Sequence, residues 1–477
     1  MHKLIFRGHE EMDRRNFLRT GCLAIVGAST ANRLLAAEPH QSFALRAAPS
    51  KTNIVGPDFE ATDVWSFNGE VPGSPIRIPL GQRLTVDVEN RLTEPTAVHW
   101  HGIRLPNAMD GVAGLTQKAI LPTESFRYSF TPPDAGTYWY HSHINAYEQV
   151  GRGLYGPLVI DETNPPVVDR DLVWMIDDWR LLNDASISDD FGAGHDMSHA
   201  GRIGNVPTVN GRFRDVVKVR SGERVRLRLI NAANARVFSL NFKDLNPTVI
   251  AIDGQPLKPY QPTGPIIIGA AGRVDIIIDM TGKPKSRSVV QDSTYRESFD
   301  LTHFVYEDAP LRETLLDSSI ALPPAALPEP DLANTVDQPV VIAGGAMGGL
   351  QKAMLNGEWL GLREIAQQGY VWAINNVVAN KLDMSPLIDV PRGTSVRLSL
   401  SNETAFPHPM HLHGHHMKIL SIDDIAVPDT KWVDSPLLMP NQKMELAFVA
   451  DNPGDWLFHC HALEHHAAGL GALVRVS

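Results

Sequence analysis

The chain has 477 residues, a formal net charge of −11 and only two cysteines. Its length is enough for two to four domains. The acidic balance, without runs of basic residues, argues against nucleic acid as a partner, and two cysteines exclude a fold held together by several disulfides.

The first 37 residues have the features of an export signal. Arg14 and Arg15 precede a modest apolar run, residues 22–28, and then small residues, a pattern typical of twin-arginine signals. A membrane-spanning helix needs about 20 apolar residues, so we expect no membrane span. Residues 1–37 are predicted to be a signal peptide, which places the protein in the periplasm or outside the cell. Removal of the signal removes Cys22 and leaves Cys460 as the remaining cysteine.

Beyond the signal, most of the sequence alternates as short β-strands do, with Gly, Pro, Asn and Asp between them. One segment, a turn glycine followed by an alternating strand and a closing asparagine, recurs at Gly81–Asn90, Gly222–Asn231 and Gly393–Asn402. Self-similarity at a spacing of roughly 150 residues indicates three copies of one β-domain. We predict an all-β protein of three Greek-key β-sandwich or barrel domains, at residues 45–165, 166–310 and 339–477, with a proline-rich linker at residues 311–338.

Histidine pairs occupy equivalent places in the first and third copies of the repeat. They lie nine and eleven residues after the closing asparagine: His99 and His101 in the first copy, His411 and His413 in the third. The second copy has Leu240 and Phe242 at these places. The first and third domains are therefore predicted to carry metal ligands, and the second domain none.

The last histidine block contains a cysteine between two histidines, His459-Cys460-His461, and His465 follows it. A soft thiolate among several imidazoles suits copper, zinc or iron. Neighbouring side chains of a strand point to opposite faces, so Cys460 would face one way and the two flanking histidines the other. One strand can then serve two metal sites, which suits electron transfer between them.

The chain resembles the multicopper oxidases of the three-domain, laccase-like kind. Its blocks starting at His99, His141, His408 and His459 match the family patterns HxHG, HxH, HxxHxH and HCHxxxHxxxG in order. The resemblance implies three cupredoxin-like domains and four copper ions: one of type 1, one of type 2 and a type 3 pair. It implies these ligands: His408, Cys460 and His465 for type 1; His99 and His411 for type 2; His101, His141, His143, His413, His459 and His461 for the type 3 pair.

The resemblance also implies roles around these ligands. His465 would take electrons from the reducing substrate through its ring edge, and Cys460 would pass them on. Asp110 matches an acidic residue near the cluster in bacterial relatives, where it would help to supply protons; a turn residue before a glycine is the alternative. Leu470 takes the axial position, where many bacterial relatives have methionine, and cannot coordinate. His466 stands where several bacterial relatives have glutamate.

The favoured function is a laccase-like oxidase that couples one-electron oxidation of phenols or aromatic amines to reduction of dioxygen to water. A metallo-oxidase of Cu(I) or another low-valent metal is the alternative. Residues 344–368, where such enzymes often carry a Met-rich insertion, hold only Met347 and Met354, which favours an organic substrate. The full ligand set argues against a metal-free structural protein, and three repeat copies argue against a two-domain copper nitrite reductase. We expect a monomer whose partners are a small reducing substrate and dioxygen.

Two stretches with further histidines lie outside these patterns. Residues 184–204, with His195, Met197 and His199, are polar, so a solvated loop is favoured over a wall of a substrate cleft. His415 and His416 extend the third block but match no ligand position, and we expect them to be structural.

Overall fold

Short strands are the main secondary structure of the described residues, as the period-two alternation predicts. The structure is a computed structural model that describes residues 40–295, 298–380, 385–429 and 431–477. The predicted signal peptide, with Cys22, lies outside the described residues. No helix in these four ranges combines the length and the hydropathy that a membrane crossing requires. The predicted all-β fold class is confirmed.

Residues 40–161 form the first pair of sheets. Its strands are β1 (His40–Thr52), β2 (Thr62–Phe67), β3 (Ile76–Pro79), β4 (Arg83–Asn90), β5 (Val98–His101), β6 (Ser125–Phe130), β7 (Gly136–Ser142) and β8 (Tyr155–Asp161). The strand orders are β2-β1-β4-β6 and β3-β8-β7-β5. A 3-10 helix (Asn107–Met109) follows β5, and helix α1 (Ala146–Gln149) follows β7. Residues of both sheets, such as Val86 and Tyr140, share one hydrophobic core.

Residues 170–306 form the second pair of sheets. Its strands are β9 (Arg170–Trp179), β10 (Val206–Val209), β11 (Val216–Val219), β12 (Arg224–Asn231), β13 (Phe238–Phe242), β14 (Thr248–Ile252), β15 (Gln255–Tyr260), β16 (Ile266–Ile268), β17 (Arg273–Asp279), β18 (Arg287–Asp292) and β19 (Phe299–Tyr306). The strand orders are β10-β9-β12-β17-β14-β15 and β11-β19-β18-β13-β16. Helix α2 (Gly194–Ser198) lies between β9 and β10.

Residues 335–476 form the third pair of sheets. Its strands are β20 (Thr335–Gly344), β21 (Lys352–Leu355), β22 (Glu358–Gly361), β23 (Trp372–Ile374), β24 (Pro386–Val390), β25 (Thr394–Asn402), β26 (His408–Leu412), β27 (Met417–Ile422), β28 (Ile425–Ala426), β29 (Trp432–Val433), β30 (Leu437–Leu438), β31 (Lys443–Ala450), β32 (Gly454–Cys460) and β33 (Gly471–Val476). The strand order of the first sheet is β23-β20-β25-β31-β27-β28, with β29 beside β27. The order of the second sheet is β24-β33-β32-β26-β30, and β21 pairs with β22 in a separate hairpin. The helices are α3 (Leu362–Gln367) and α4 (Leu463–Ala467).

Two strands begin earlier than the predicted domains do. β1 is already paired in parallel with β4 at His40, the first described residue, whereas the first domain is predicted from residue 45. β20 starts at Thr335, inside the predicted linker, because it pairs in parallel with β25 from that residue. Pairing with a distant strand, which the local sequence does not encode, extends these strands beyond the predicted bounds.

The closing asparagine of the repeat has the same function in all three copies. Asn90, Asn231 and Asn402 are all buried. Each side-chain Oδ1 accepts a hydrogen bond from the backbone N–H two residues later, at 2.9 to 3.0 Å. Each Nδ2 donates to two or more carbonyls of the neighbouring loops. These bonds fix the turn that leads from the repeated strand to the next one: β5, β13 or β26.

Residues 184–204 are not the solvated loop that their polar sequence favours. Trp372 Nε1 of β23 donates to the carbonyl of Met197 at 2.7 Å, and Ala346 N–H donates to the carbonyl of Ser198 at 2.7 Å. His195 is exposed, but Asp196 is buried. The segment therefore packs on the third pair of sheets because its polar groups find partners there.

Candidate metal centres

Two pairs of antiparallel strands carry most of the histidine blocks. In β5 and β7, His99 lies opposite His141. In β26 and β32, His411 lies opposite His459. The corresponding side chains of β13 are apolar and belong to a buried hydrophobic core. The first and third pairs of sheets thus present equivalent histidines, as the repeat predicts.

Two imidazole nitrogens and one sulfur form a small triangle beside α4, which we call the three-ligand centre. His408 Nδ1 lies 3.4 Å from Cys460 Sγ and 3.1 Å from His465 Nδ1. Cys460 Sγ lies 3.7 Å from His465 Nδ1. An ion inside this triangle would be about 2 Å from each donor, close to normal metal–nitrogen and metal–thiolate distances. The triangle therefore fits a metal held by two histidines and one cysteine.

Two neighbours define the surroundings of the three-ligand centre. Leu470 N–H donates to the carbonyl of His465 at 3.0 Å, and Cys460 N–H donates to the carbonyl of Leu470 at 3.1 Å. These backbone bonds hold the buried Leu470 side chain beside the ligands, and leucine has no atom that could coordinate. On the other side, Thr404 Oγ1 lies 2.9 Å from His408 Nε2 and fixes that ring.

The remaining eight predicted ligands surround a second space, which we call the eight-histidine cluster: His99, His101, His141, His143, His411, His413, His459 and His461. Three pairs of Nε2 atoms approach closely: His99 and His411 at 3.4 Å, His141 and His461 at 3.4 Å, His413 and His459 at 3.1 Å. Three overlapping groups have donor atoms within 4.8 Å of one another: His99, His411 and His413; His99, His101 and His141; His143, His413 and His459. The cluster therefore offers places for more than one metal ion.

Backbone carbonyls orient four of the cluster rings. Nδ1 of His99 donates to the carbonyl of Asp110 at 2.8 Å, and Nδ1 of His411 to that of Asp434 at 3.0 Å. His141 and His459 each donate through Nδ1 to the carbonyl of the following residue at 2.9 Å. A carbonyl only accepts, so each Nδ1 carries the hydrogen and each Nε2 presents a lone pair. This is the tautomer that metal binding through Nε2 requires.

The two ring nitrogens of His101 have roles opposite to those in these four rings. Its Nε2 lies 3.0 Å from Ser435 Oγ and 3.3 Å from Asp434 Oδ1. Its Nδ1 is buried and has no hydrogen-bond partner among the described residues. A buried nitrogen without a partner is costly, and a metal bound at Nδ1 would remove that cost. This orphaned atom supports the fit of the cluster to metal.

Asp110 contacts the cluster and also ends the 3-10 helix. Its side chain is buried, and its Oδ2 lies 2.9 Å from His413 Nδ1. Its carbonyl accepts the hydrogen bond from His99 described above. Asp110 is therefore both a turn residue and an acidic residue beside the cluster.

Sequence reasoning missed Asp434, a buried carboxylate against His101 and His411. Arg273 of β17 donates through Nη1 to Asp434 Oδ1 at 2.7 Å and also pairs through Nη2. Burial alone would raise the pKa of Asp434, but the Arg273 guanidinium holds it well below its usual value. Backbone N–H groups of Asp434 and Ser435 donate to Asp253 Oδ2 at 3.1 and 3.0 Å. The second pair of sheets therefore orients the cluster without supplying a ligand. No motif or spacing in the sequence marks this residue.

Burial sets the protonation of both centres. It lowers the pKa of His465 to about 4 and, with the neighbouring imidazoles, lowers the pKa of His141, His413 and His459 well below the usual value. These rings are neutral near pH 7, as metal ligands must be. Burial raises the pKa of the Cys460 thiol, so a bound metal would have to displace its proton.

Other histidines take positions around the two centres. The His466 ring lies 4.2 Å from the His459 ring and 5.8 Å from the His143 ring, between centroids. His415 and His416 are buried and belong to none of the groups of close donor atoms in the described ranges. His416 Nε2 instead lies 3.3 Å from Asp434 Oδ2.

His465 has no exposed ring edge. Its side chain is fully buried, and its Nε2–H donates to the backbone carbonyl of His199 at 2.6 Å. The segment around α2 covers that edge, and the entry of electrons through the His465 ring stays a prediction.

Comparison with known proteins agrees with this geometry. Three family models described as multicopper oxidase match residues 50–165, 170–302 and 359–477. The crystal structure of Lac15, from a marine microbial metagenome, is 33% identical with a TM-score of 0.73, and the match covers 91% of this chain and 100% of Lac15. A multicopper oxidase structure from Pseudomonas thermotolerans is 29% identical with a TM-score of 0.81, covering 92% and 100%. Multicopper oxidase MmcO of Mycobacterium tuberculosis is 29% identical, covering 91% and 88%.

Sequence, fold and ligand geometry agree over nearly the whole described chain. The chain belongs to the multicopper oxidase family, and it is a laccase-like, copper-binding oxidoreductase of three cupredoxin-like domains that uses dioxygen as its electron acceptor.

Proposed function

We propose that this protein binds four copper ions and oxidises phenols or aromatic amines, one electron at a time, while reducing dioxygen to water. The observation that carries this proposal is the position of Cys460 at the end of β32, between His459 and His461. Cys460 belongs to the three-ligand centre, and its two neighbours belong to the eight-histidine cluster. A few covalent bonds therefore join the two centres.

The ligand assignment follows the motif and the contacts. His408, Cys460 and His465 would hold the type 1 ion. His99 and His411, whose Nε2 atoms lie 3.4 Å apart, would hold the type 2 ion. The remaining six would hold the type 3 pair: His101, His141, His143, His413, His459 and His461.

The bound copper ions would accept single electrons at the three-ligand centre and deliver four of them to dioxygen at the cluster. Cys460 gives the electrons a through-bond path to His459 and His461. Because the two centres are made of separate groups of residues, substrate radicals would stay away from the site of oxygen reduction. Asp110 would accept a hydrogen bond at Oδ2 from Nδ1–H of His413, at 2.9 Å, and would supply an acidic group at the cluster, where the reduction of dioxygen consumes protons.

Two observations bear on the reducing substrate. Relatives of the chain include proteins named laccase, and residues 344–368 hold only two methionines, which together support an organic donor. A second candidate is Cu(I). Met347 is exposed, and the preceding residue, Ala346, donates a backbone hydrogen bond to Ser198, in the segment that holds His195 and His199. Thioether and imidazole groups suit Cu(I), and other relatives are named copper resistance protein A.

Metal analysis and oxygen uptake test the proposal together. The purified protein should contain four copper ions per chain and be blue. Oxygen uptake is then measured with a panel of phenols, aromatic amines and Cu(I) at matched concentrations. Efficient turnover of the organic donors supports the laccase-like function. Turnover of Cu(I) alone would replace it with the metallo-oxidase function.

We also propose that residues 1–37 direct twin-arginine export and that the mature protein acts as a monomer in the periplasm or outside the cell. The paired Arg14 and Arg15 and the short apolar run support the export. Replacing both arginines by lysine should leave the protein in the cytoplasm on fractionation. Size-exclusion chromatography with light scattering should give the mass of one chain.

A further inference from the structure

The outward face of the three-ligand centre is closed by residues 190–203, which we call the capping segment. His465 Nδ1 faces Cys460 and His408, so Nε2 is the nitrogen that points away from the centre. That nitrogen donates to the carbonyl of His199 at 2.6 Å. A reducing substrate outside the protein therefore meets the capping segment before it can meet His465.

The capping segment is held firmly in place. Arg180 pairs with Asp190 and Asp196 at 2.7 Å each, and Arg202 donates to Asp190 at 2.6 Å. At Gly201, where φ is +81°, a Cβ atom would lie 2.3 Å from the Ala235 Cβ and 3.1 Å from Glu464 Oε2. This close approach lets the segment lie directly against α4. The carbonyl of His199 is thus a fixed partner of His465.

His199 is the partner of His465 that reaches the surface. The other described residues with a hydrogen-bond or ring contact to the His465 side chain are Cys460, His408 and Trp372. All three are fully buried, whereas His199 is partly exposed. The shortest route from solvent to the three-ligand centre along these contacts therefore passes through His199.

The rings of the capping segment form an aromatic surface at this point. The His199 ring stacks on the His195 ring, with centroids 4.0 Å apart and an interplanar angle of 10°. Phe406 meets the His199 ring edge-on at 5.8 Å. The His195 side chain is 77% exposed. The stack thus presents one open imidazole face to solvent, and flat aromatic molecules bind such faces by stacking.

We propose that His195 and His199, the docking pair, bind the aromatic donor and that its electron passes through the His199 peptide to His465. This inference rests on the proposed oxidation of organic donors and names the surface that receives them. In each step a phenol loses one electron and the proton of its O–H bond. The electron goes to the three-ligand centre, the proton goes to solvent beside the exposed His195, and dioxygen is the final oxidant.

The first experiment measures binding without turnover. The copper-loaded protein is titrated by calorimetry with 4-nitrophenol, a phenol that is hard to oxidise, and with cyclohexanol as a non-aromatic control. Loss of one aromatic contact costs about fivefold in affinity. We therefore expect His195→Ala and His199→Ala to weaken 4-nitrophenol binding by about this factor. His199→Phe, which keeps a ring, should bind like the native protein, as should His303→Ala on β19.

The second experiment measures turnover of the same variants with a readily oxidised phenol. His195→Ala and His199→Ala should raise KM for the phenol with little change in kcat, because the backbone route to His465 remains. Their blue absorption and reduction potential should equal those of the native protein.

Three results would overturn the inference. Equal affinity of the alanine variants and the native protein for 4-nitrophenol would place the donor elsewhere. No measurable binding by the native protein would show that the docking pair holds no aromatic ligand. A shifted potential or a bleached blue band in His199→Ala would show that the ring only supports the metal centre. Failure of the proposed function is a different result: oxygen uptake with Cu(I) but with no organic donor.

Discussion

The three-ligand centre and the eight-histidine cluster are built in different ways. All ligands of the three-ligand centre come from the third pair of sheets, within residues 408–465. The cluster takes four histidines from the first pair of sheets and four from the third. The three-ligand centre therefore depends on the fold of one domain, whereas the cluster depends on the packing of two. A single substitution can break one centre and leave the other intact.

Electrostatics separates the two centres further. The cluster has buried carboxylates close to its ligands, Asp110 and Asp434, and the Arg273 ion pair connects it to the second pair of sheets. Around the three-ligand centre, the contacts to the ligands come from Thr404, Leu470, Trp372 and the carbonyl of His199. The cluster is thus held by charge, and the three-ligand centre by apolar packing and neutral hydrogen bonds.

The largest effect is expected from Cys460→Ser. Serine cannot supply a thiolate, so the three-ligand centre loses its soft donor while the cluster keeps all eight histidines. The variant should lose the blue absorption band and all oxidase activity but retain the copper of the cluster. Copper analysis and absorption spectroscopy check this, and unchanged far-UV circular dichroism shows that the fold remains. A blue protein after this substitution would contradict the assignment of Cys460.

Asp434→Ala should break the cluster and leave the three-ligand centre intact. It leaves Arg273 buried without its main partner, and breaking a buried ion pair in this way costs about 3–5 kcal/mol. His101 and His411 also lose an orienting group, so the cluster should bind less copper while the blue band persists. Urea unfolding and copper analysis measure the two effects.

The control for Asp434→Ala is Asp87→Ala. Asp87 pairs with Arg127 on the surface, where the two side chains are 47% and 69% exposed. Such an exposed pair contributes little to stability, so the control should change neither stability nor copper content appreciably. Equal destabilisation of the two variants would show that the Asp434–Arg273 pair has no special role.

Acid should destabilise the copper-free protein through its buried histidines. The pKa of His465 is about 4 in the folded chain and about 6.5 when unfolded. The unfolded chain therefore binds more protons between these values, and stability falls as pH falls from about 6.5 to about 4. His465 alone accounts for up to about 3 kcal/mol. The buried cluster histidines with lowered pKa values act in the same direction.

Denaturant unfolding of chelator-treated protein from pH 7 to pH 4 measures this slope. His465→Gln removes one titrating ring and should flatten the slope by about one proton, while most of the slope, which belongs to the cluster, should remain. A pH-independent free energy of unfolding would contradict the neutral, buried state of these rings.

The positions of the cluster histidines could be predicted because their spacing follows strand geometry. His99 and His101 lie two residues apart and point to the same face of β5, as the alternation of a strand requires. The closing asparagines Asn90 and Asn402 start the same turn in both copies, so equal spacing produced equal positions in space. Pattern and repeat together were enough to choose the cluster histidines that the structure brings together, whereas His408 and His465 were chosen through the resemblance to multicopper oxidases.

The groups around the ligands could not be predicted in the same way. Asp434 pairs with Arg273, which is 161 residues away in the sequence. His465 donates a hydrogen bond to His199, which is 266 residues away. Neither contact repeats or has a characteristic spacing. The polar composition of residues 184–204 even favours solvent over packing. Such contacts depend on how the three pairs of sheets pack, which no local pattern encodes.

The smallest effect is expected from Leu470→Met, which changes only the axial side of the three-ligand centre. Backbone hydrogen bonds to His465 and Cys460 hold residue 470 in place, and a leucine-to-methionine change in a core costs less than about 1.5 kcal/mol. The thioether would add a weak axial donor, which tunes the potential of such centres. It stabilises Cu(II) relative to Cu(I), so the reduction potential should fall. Activity should then fall most with donors that are hard to oxidise and stay nearly unchanged with easily oxidised ones. Redox titration beside the control Leu473→Met on β33 measures this, and an unchanged or higher potential in Leu470→Met would show that residue 470 is not axial.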